Sequence, residues 1–336
     1  MERPTILGRW RRWTQGVLVG PRRMELVTGG AGFIGSHLVD ALVSGGKKVR
    51  VFDNFSSGRE DFLAHHEGSG NVEVFRGDLL DYESVIEAMK GVEKVHHMAA
   101  NPDIRLGTEI TDTDLKQGTM ATYNVLEAMR NAGVSTISFA SSSAVYGEAS
   151  EMPTSESYGP TMPISLYGAS KLASEALITA WAGTFGAQGF IHRFANIVGP
   201  RGTHGVIFDF IHKLKNDPSR LEVLGDGKQE KSYMSAEDCV NSMLHLLERK
   251  EEQVNLYNLG TGDTCSVSRI AEIVIEESGL EGVTLDYTGG SRGWAGDVPK
   301  TYLDVSKLKD TGFEPTASSE QAIRATTRAL IDEIGL

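Results

Sequence analysis

Cysteine is nearly missing from this chain. Only Cys239 and Cys265 occur among 336 residues, in no metal-binding spacing, and they read as reduced thiols of a cytoplasmic protein rather than as a disulfide framework. No apolar run approaches the roughly 20 residues that a membrane-crossing helix needs, so no membrane partner is expected. Positive charge is the minority sign, with 33 Lys and Arg against 45 Asp and Glu and a formal charge of −12. Binding a phosphate backbone takes clustered cations, so nucleic acid is not an expected partner either. Internal repeats and low-complexity stretches are absent. The first 23 residues break the acidic trend: six arginines and the lone acid Glu2 give +5, which leaves −17 for residues 24–336. That segment shows no helical or strand period. It reads as a disordered or non-native extension ahead of a start at Met24, with a basic membrane- or nucleic-acid-binding arm as the alternative.

What is there is ordinary globular composition, 40% hydrophobic and 23% charged, on a chain long enough for one large domain or two lobes sharing a core. From Met24 short apolar strands alternate with amphipathic helices. The spacing predicts strands at MELVT, KKVRVFD, VEVFRGDL (72–79), VEKVHHMAA and VSTISFASSS. It predicts helices over SHLVDALVSGG, YESVIEAMK and the long LKQGTMATYNVLEAMRNAG, which ends at Gly133. Near-continuously apolar strands between helices mean a parallel sheet covered on both faces. The expected fold is α/β, a Rossmann-like doubly wound sheet over residues 24–190. Residues 191–336 are expected to form mainly a smaller substrate-binding lobe, with segments that return to the sheet.

TGGAGFIG follows a strand and opens a helix, so Gly30-x-Gly32-x-x-Gly35 fits a dinucleotide-binding turn. Glycine allows the tight turn and the close approach of pyrophosphate, and the helix N-terminus offers free N–H groups. Asp53, at the end of the second strand, is placed to accept hydrogen bonds from ribose hydroxyls and would repel a 2′-phosphate, which selects NAD over NADP. Arg59, a few residues on, is the one feature that speaks for NADP. Asp78 either reaches the adenine amino group or caps a turn. SLYGASK puts Tyr167 and Lys171 four residues apart, neighbours on a helix face. A phenol of ordinary pKa, roughly 10, is too weakly acidic for a base at neutral pH. An ammonium and an oxidised nicotinamide would pull that value down. Ser141, Ser142 and Ser143 end the fifth strand and can supply a partner hydroxyl.

With these motifs the chain resembles the extended short-chain dehydrogenases/reductases of the nucleotide-sugar branch, most closely the UDP-glucose (UDP-galactose) 4-epimerase family. The markers are TGGAGFIGSHLVD, DNFSSG, GDLLD, SSSAVYG, SLYGASK, RFANIVGPR, GDGKQEKSY and SRGWAGDVP, spread from about Met24 to the C-terminus. The resemblance implies NAD as cofactor, no metal, a nucleotide-sugar substrate, a cytoplasmic homodimer, and catalysis by Ser142, Tyr167 and Lys171. Its glycine pattern is Gly29, Gly32 and Gly35. It further implies cofactor contacts from Phe33, Ile34, Asp53, Asn54, Ser57, Gly58, Asp78, Leu79, Ala99 and Ala100, with Tyr167 and Lys171. Substrate contacts would come from Ser142, Ser143, Tyr167, Asn196, Val206, Lys231, Arg292, Asp297 and Thr301.

Departures from the family pattern are equally informative. Dehydratases and decarboxylases of this branch carry an acid just after the catalytic Ser/Thr, where this chain has Ser143 and Ala144; that implies epimerisation at C4. Lys231 stands where arginine is common, Gly118 where an asparagine lies near the cofactor, and Pro102–Asp103 where a lysine is usual, with Arg105 as a possible substitute. Thr301 stands where a bulky tyrosine restricts the sugar pocket, which implies room for an N-acetyl group. UDP-glucuronate 4-epimerases and other nucleotide-sugar enzymes with the same Ser-Tyr-Lys set are the alternative. Relatives that bind the dinucleotide without turnover typically lose the Tyr or Lys, and both are present here.

Overall fold

The structure is a computed structural model that describes residues 24–249, 252–294 and 296–336; the basic segment 1–23 lies outside the described residues. The first half runs β1 (Met24–Thr28), α1 (Phe33–Ser44), β2 (Lys48–Asp53), β3 (Val72–Arg76), α2 (Tyr82–Ala88), β4 (Val92–His97), α3 (Ala121–Ala132), β5 (Thr136–Ser142), α4 (Leu166–Phe185) and β6 (Gln188–Phe194). The second half continues through β7 (Asn196–Val198), α5 (Val206–Asn216), β8 (Arg220–Val223), β9 (Glu230–Lys231), β10 (Tyr233–Ser235) and α6 (Ala236–Leu247). It ends with β11 (Val254–Leu259), β12 (Cys265–Ser266), α7 (Val267–Ser278), β13 (Thr284–Tyr287), β14 (Lys300–Thr301), α8 (Ser306–Asp310) and α9 (Ser319–Ile334).

Seven strands form one parallel sheet in the order β11-β6-β5-β4-β1-β2-β3. Both faces are covered. Leu26, Phe52, Val95, Ile137 and Phe139 pack under α2 and α3 with Ile178 of α4. Val27, Val49, Val51 and Phe194 pack under α1 and α6. This two-sided burial is why the strands read as apolar runs rather than alternating ones. Chain order reverses between β1 and β4, so a crevice opens at the carboxyl ends of these strands. A second core, with Phe210, Ile211 and Leu214 of α5, Ile270 and Ile273 of α7 and Ile323 of α9, builds the smaller lobe over that crevice. Cys239 and Cys265 are both free and buried.

Three expectations need correction. β3 stops at Arg76, because Gly77 and Asp78 turn the chain toward α2. The long helix starts as a π-helix over Leu115–Met120 and becomes α-helical only at Ala121. This segment packs closely on α4: a Cβ on Gly118 would sit 2.6 Å from Ser170 Oγ. β6 and β11 were not among the expected strands; their residues pair side by side from Gly189–Val254 to Phe194–Leu259 at the sheet edge. Gly133 does end α3, in the left-handed conformation at φ 69°.

Candidate active site

The glycine turn is set by sterics. Gly29 has φ 67°, and a Cβ there would stand 2.7 Å from Ala99 Cα. A Cβ on Gly35 would stand 2.0 Å from the Gly29 carbonyl oxygen. Gly32 caps α1 with an extended backbone and donates to Gly29 O at 3.1 Å. Gly30, by contrast, has no positive φ. Positions 29 and 35 are the tightest; a Cβ on Gly30 would meet Val51 at 3.0 Å, and one on Gly32, at the helix entry, would meet the Gly29 carbonyl oxygen at 3.2 Å.

Behind this turn Asp53 is fixed by two backbone amides, from Ala31 at 3.0 Å and Phe55 at 2.8 Å. Burial raises its pKa from the ordinary carboxylate value; the two amides and Arg76 oppose the rise. Gly58 leaves space for this carboxylate, since a Cβ there would lie 2.9 Å from Asp53 Oδ1. Arg59 donates to Asp61 through two hydrogen bonds of 2.6 and 3.1 Å, a pair whose two side chains are both exposed. Asp78 behaves as a turn residue: it accepts from the Leu80 amide at 2.8 Å and from the Asn54 side chain at 3.2 Å. Gly77 and Leu79 beside it face the crevice.

The crevice is a cleft of about 590 Å³. Gly29, Gly32, Phe33, Ile34, Gly35, Asp53, Asn54, Ser57, Leu79, Ala99 and Ala100 line one end. Ser142, Ser143, Tyr167 and Lys171 lie on the same cleft wall as Phe194 and Asn196. Val206, Lys231, Asp297 and Thr301 come in from the smaller lobe. A helix N-terminus, an acid at the end of β2 and a cradle that any Cβ would fill are what a dinucleotide needs, so these residues fit NAD.

Ser142 ends β5, and its Oγ accepts from the Ala144 amide at 3.2 Å. Ser165 caps α4 by accepting from the Gly168 amide at 3.1 Å, which starts the helix at Leu166, one residue before Tyr167. One turn on, Lys171 is 3% exposed and donates to the Ala140 carbonyl at 2.6 Å. Its ammonium sits 5.6 Å from the centre of the Tyr167 ring. Burial pushes the Tyr167 phenol up to about 12; a hydrogen bond with Ser142 opposes this and Asp114 adds to it. Burial draws Lys171 down to about 8 against the pull of Asp114 and Glu175. The expectation that Lys171 lowers the phenol is thus not met by the chain's own groups: the ammonium is engaged with Ala140 and burial dominates.

Sequence reasoning missed Asp114, the strongest charge acting on this pair. It is 1% exposed, accepts from Asn101 Nδ2 at 3.1 Å through Oδ1, and its Oδ2 has no partner. Burial raises its pKa, opposed by Asn101 and Lys171. In sequence it is one of several acids in TDTD and looks like a helix start, so no local signal marks it. Arg105 lines the cleft with its Nε 3.4 Å from Asp103 Oδ1. Trp294 also lines the cleft from a loop without sequence period.

In the far wall, Lys231 pairs with Asp297 at 2.6 Å, and the other Asp297 oxygen accepts from the Gly293 amide at 3.1 Å. Arg292 donates to Asp297 O at 2.6 Å and to Glu148 Oε1 at 2.5 Å, so its side chain sits on the rim rather than in the cleft. Asn196 donates to Ser232 O at 3.2 Å. Thr301, half-buried on β14, is paired in register with Lys231.

Residues 25–260 match the model of the NAD dependent epimerase/dehydratase family. A protein of Methanocaldococcus jannaschii that carries the provisional name UDP-glucose 4-epimerase is 34% identical over 90% of this chain and 96% of its own length. A UDP-N-acetyl-alpha-D-glucosaminuronate decarboxylase of Bacillus cytotoxicus is 33% identical over 90% of this chain and 95% of its own. A crystal structure of a UDP-galactose 4-epimerase superposes with a TM-score of 0.83 at 42% identity, covering 93% of this chain and 99% of that one.

Proposed function

The chain belongs to the NAD-dependent epimerase/dehydratase family, and from that premise we propose that it inverts C4 of a nucleotide sugar, interconverting UDP-glucose and UDP-galactose through a transient 4-keto sugar. The observation that carries this reading is the Ser142–Tyr167–Lys171 group lining the cleft, its lysine buried, with no carboxylic acid directly after Ser142. A decarboxylase or dehydratase of this fold has an acid there, needed in the dehydratase to protonate a leaving hydroxyl. Ser143 and Ala144 offer none.

When bound, NAD supplies the hydride acceptor and, in its oxidised form, a positive charge that favours the Tyr167 phenolate. Tyr167 then takes the proton of the sugar 4-hydroxyl, directly or through Ser142, and returns it to the opposite epimer. Lys171, fixed by Ala140, keeps a cation near the phenolate and is within reach of a ribose hydroxyl. Lys171 is buried, while Ser142 and Tyr167 are half-buried and face the cleft where the sugar would lie. Asn196 and Lys231 hold the diphosphate, Arg292 reaches it from the rim by exchanging Glu148 for a phosphate oxygen, Asp297 holds the nucleoside ribose, and Val206 flanks the base. The compact Thr301 leaves room at C2, so UDP-N-acetylhexosamines are substrates too. The second reading, a UDP-glucuronate 4-epimerase, draws support from the 33% identical relative named for a uronate substrate; competition between UDP-glucuronate and UDP-glucose separates the two.

No helix among the described residues is long and apolar enough to cross a membrane, and we place the enzyme in the cytoplasm. The exposed apolar residues Leu115, Met120, Tyr123 and Leu166 lie along the helices at 115–132 and α4. They suit a homodimer, which light scattering after gel filtration would test. The decisive experiment for function is proton NMR of the purified protein with UDP-galactose and no added NAD. Conversion to an equilibrium mixture with UDP-glucose supports both the activity and a retained cofactor. No conversion even with NAD supplied overturns the UDP-hexose assignment.

A further inference from the structure

Away from the cleft, α1 and the turn after β2 bring three metal-competent side chains together. Asp40 Oδ1 lies 2.8 Å from His65 Nε2 and 2.7 Å from His66 Nε2. The three donor atoms are all within 4.8 Å of one another, a grouping found once among the described residues. The two imidazole rings lie tilted at 42° to each other with centroids 4.0 Å apart. His66 is 11% exposed and His65 49%, so ions reach the group from the His65 side. Asp40 Oδ2 is taken by Arg201 Nη2 at 2.8 Å. None of these four residues lines the cleft.

We propose that Asp40, His65 and His66 form a site for a borderline divalent cation of the Zn²⁺ class, with water as the fourth ligand. The donor set decides the class. Two imidazole nitrogens and one carboxylate oxygen suit Zn²⁺, Co²⁺ or Ni²⁺, whereas Mg²⁺ and Ca²⁺ take oxygen ligands. Bonds of roughly 2.0–2.2 Å in tetrahedral geometry separate ligand atoms by roughly 3.3 Å. Contacts of 2.7 and 2.8 Å therefore need to widen by only about half an ångström. Arg201 holds the second carboxylate oxygen and so orients Asp40, as outer partners of metal ligands do; its charge also weakens the affinity. Sequence spacing hides the group, because Asp40 and His65 are 25 residues apart.

The location gives the site a role. α1 begins at the glycine turn. Arg201 sits in the segment whose Gly199, Gly202, Thr203, His204 and Gly205 line the cleft. The Arg201 amide also donates to Glu333 of α9 at 3.2 Å. A cation on Asp40 thus ties the cofactor-binding helix to the turn at 64–66, and through Arg201 to the cleft rim.

The test uses the full chain and ZnCl₂, titrated in competition with a chromophoric chelator, with Co²⁺ as a spectroscopic substitute. Expected are one equivalent bound per chain, visible Co²⁺ bands of a four-coordinate centre, and a Tm raised by Zn²⁺. His65→Ala and His66→Ala should each weaken binding by at least about tenfold and abolish the Tm rise, while melting like the parent in EDTA. Absence of saturable binding, or binding unchanged in both variants, overturns the proposal. Because turnover is not the readout, this outcome is independent of the epimerase assignment.

Discussion

On the cofactor side of the cleft, the backbone itself is the binding surface: Gly29, Gly32 and Gly35 fold so closely that a Cβ on Gly35 would meet the Gly29 carbonyl oxygen at 2.0 Å. On the sugar side, Lys231, Asp297, Arg292 and Glu148 come from distant segments and hold one another by charge. The first surface is rigid and rests on eight neighbouring residues. The second can exchange protein partners for a ligand's phosphates, since an ammonium and a guanidinium that pair with carboxylates can pair equally well with a diphosphate. The fixed wall suits a cofactor that is retained, and the exchangeable wall suits a nucleotide sugar that must come and go. The proposed reacting group, Tyr167 with Ser142 and Lys171, lines the same cleft.

The sharpest break of this comparison is at that reacting group. Tyr167→Phe should reduce turnover by about 10³-fold while NAD still binds, measured by the NMR assay and by cofactor absorbance after desalting. Gly35→Ala attacks the rigid wall; the clash with the Gly29 carbonyl should cost about 3 kcal/mol and strip NAD from the purified protein, read by chemical denaturation and cofactor content.

A variant outside both walls tests whether the sheet beneath depends on charge as the sugar side does. Burial resists ionisation of Glu25, but the His96 hydrogen bond and the Lys94 and Lys47 ammonium groups outweigh it and hold the carboxyl at about 2, against 4.5. Its folded value is depressed, so its stabilisation is present above pH 4.5 and is lost as the pH falls toward 2. The loss amounts to about 3 kcal/mol. Glu25→Gln should flatten the fall in stability across that window, followed by urea midpoints against pH.

Lys231→Met leaves Asp297, 6% exposed, without its cation. A loss of about 2 kcal/mol and a raised KM with little change in kcat are expected from denaturation and steady-state kinetics. The smallest change concerns the sugar itself. Thr301→Tyr should lower activity on UDP-N-acetylgalactosamine relative to UDP-galactose by about tenfold; an unchanged ratio would sink the idea that Thr301 admits the N-acetyl group.

These contrasts separate what is written locally from what is assembled. The glycine turn, Asp53, the Gly133 helix end and the Tyr167–Lys171 pair could all be read from the chain, because each depends on residues within a turn or two. The apolar strands under the two helical layers were legible for the same reason: burial on both faces leaves a continuous run. β6 escaped notice because Gly189, His192 and Arg193 interrupt its apolar pattern, yet inside the sheet His192 is fully buried and bonded to Ser138, and Arg193 is paired with Glu175. The π-turn at Leu115–Met120 carries no local sequence signal; its Gly118 packs against Ser170, a residue on another helix.

By itself, then, the amino-acid sequence determined the Rossmann-like alternation of strands and helices and the glycine turn, and it marked Ser142 and Tyr167 as candidate hydroxyls, since steric and periodic constraints act over short stretches. Only the tertiary structure decided the charges around them. It buried Asp114 beside Tyr167 and Lys171, paired Lys231 with Asp297, and set two histidines on Asp40. Electrostatic partners are chosen by distance in space and by loss of water, and neither is encoded in spacing along the chain.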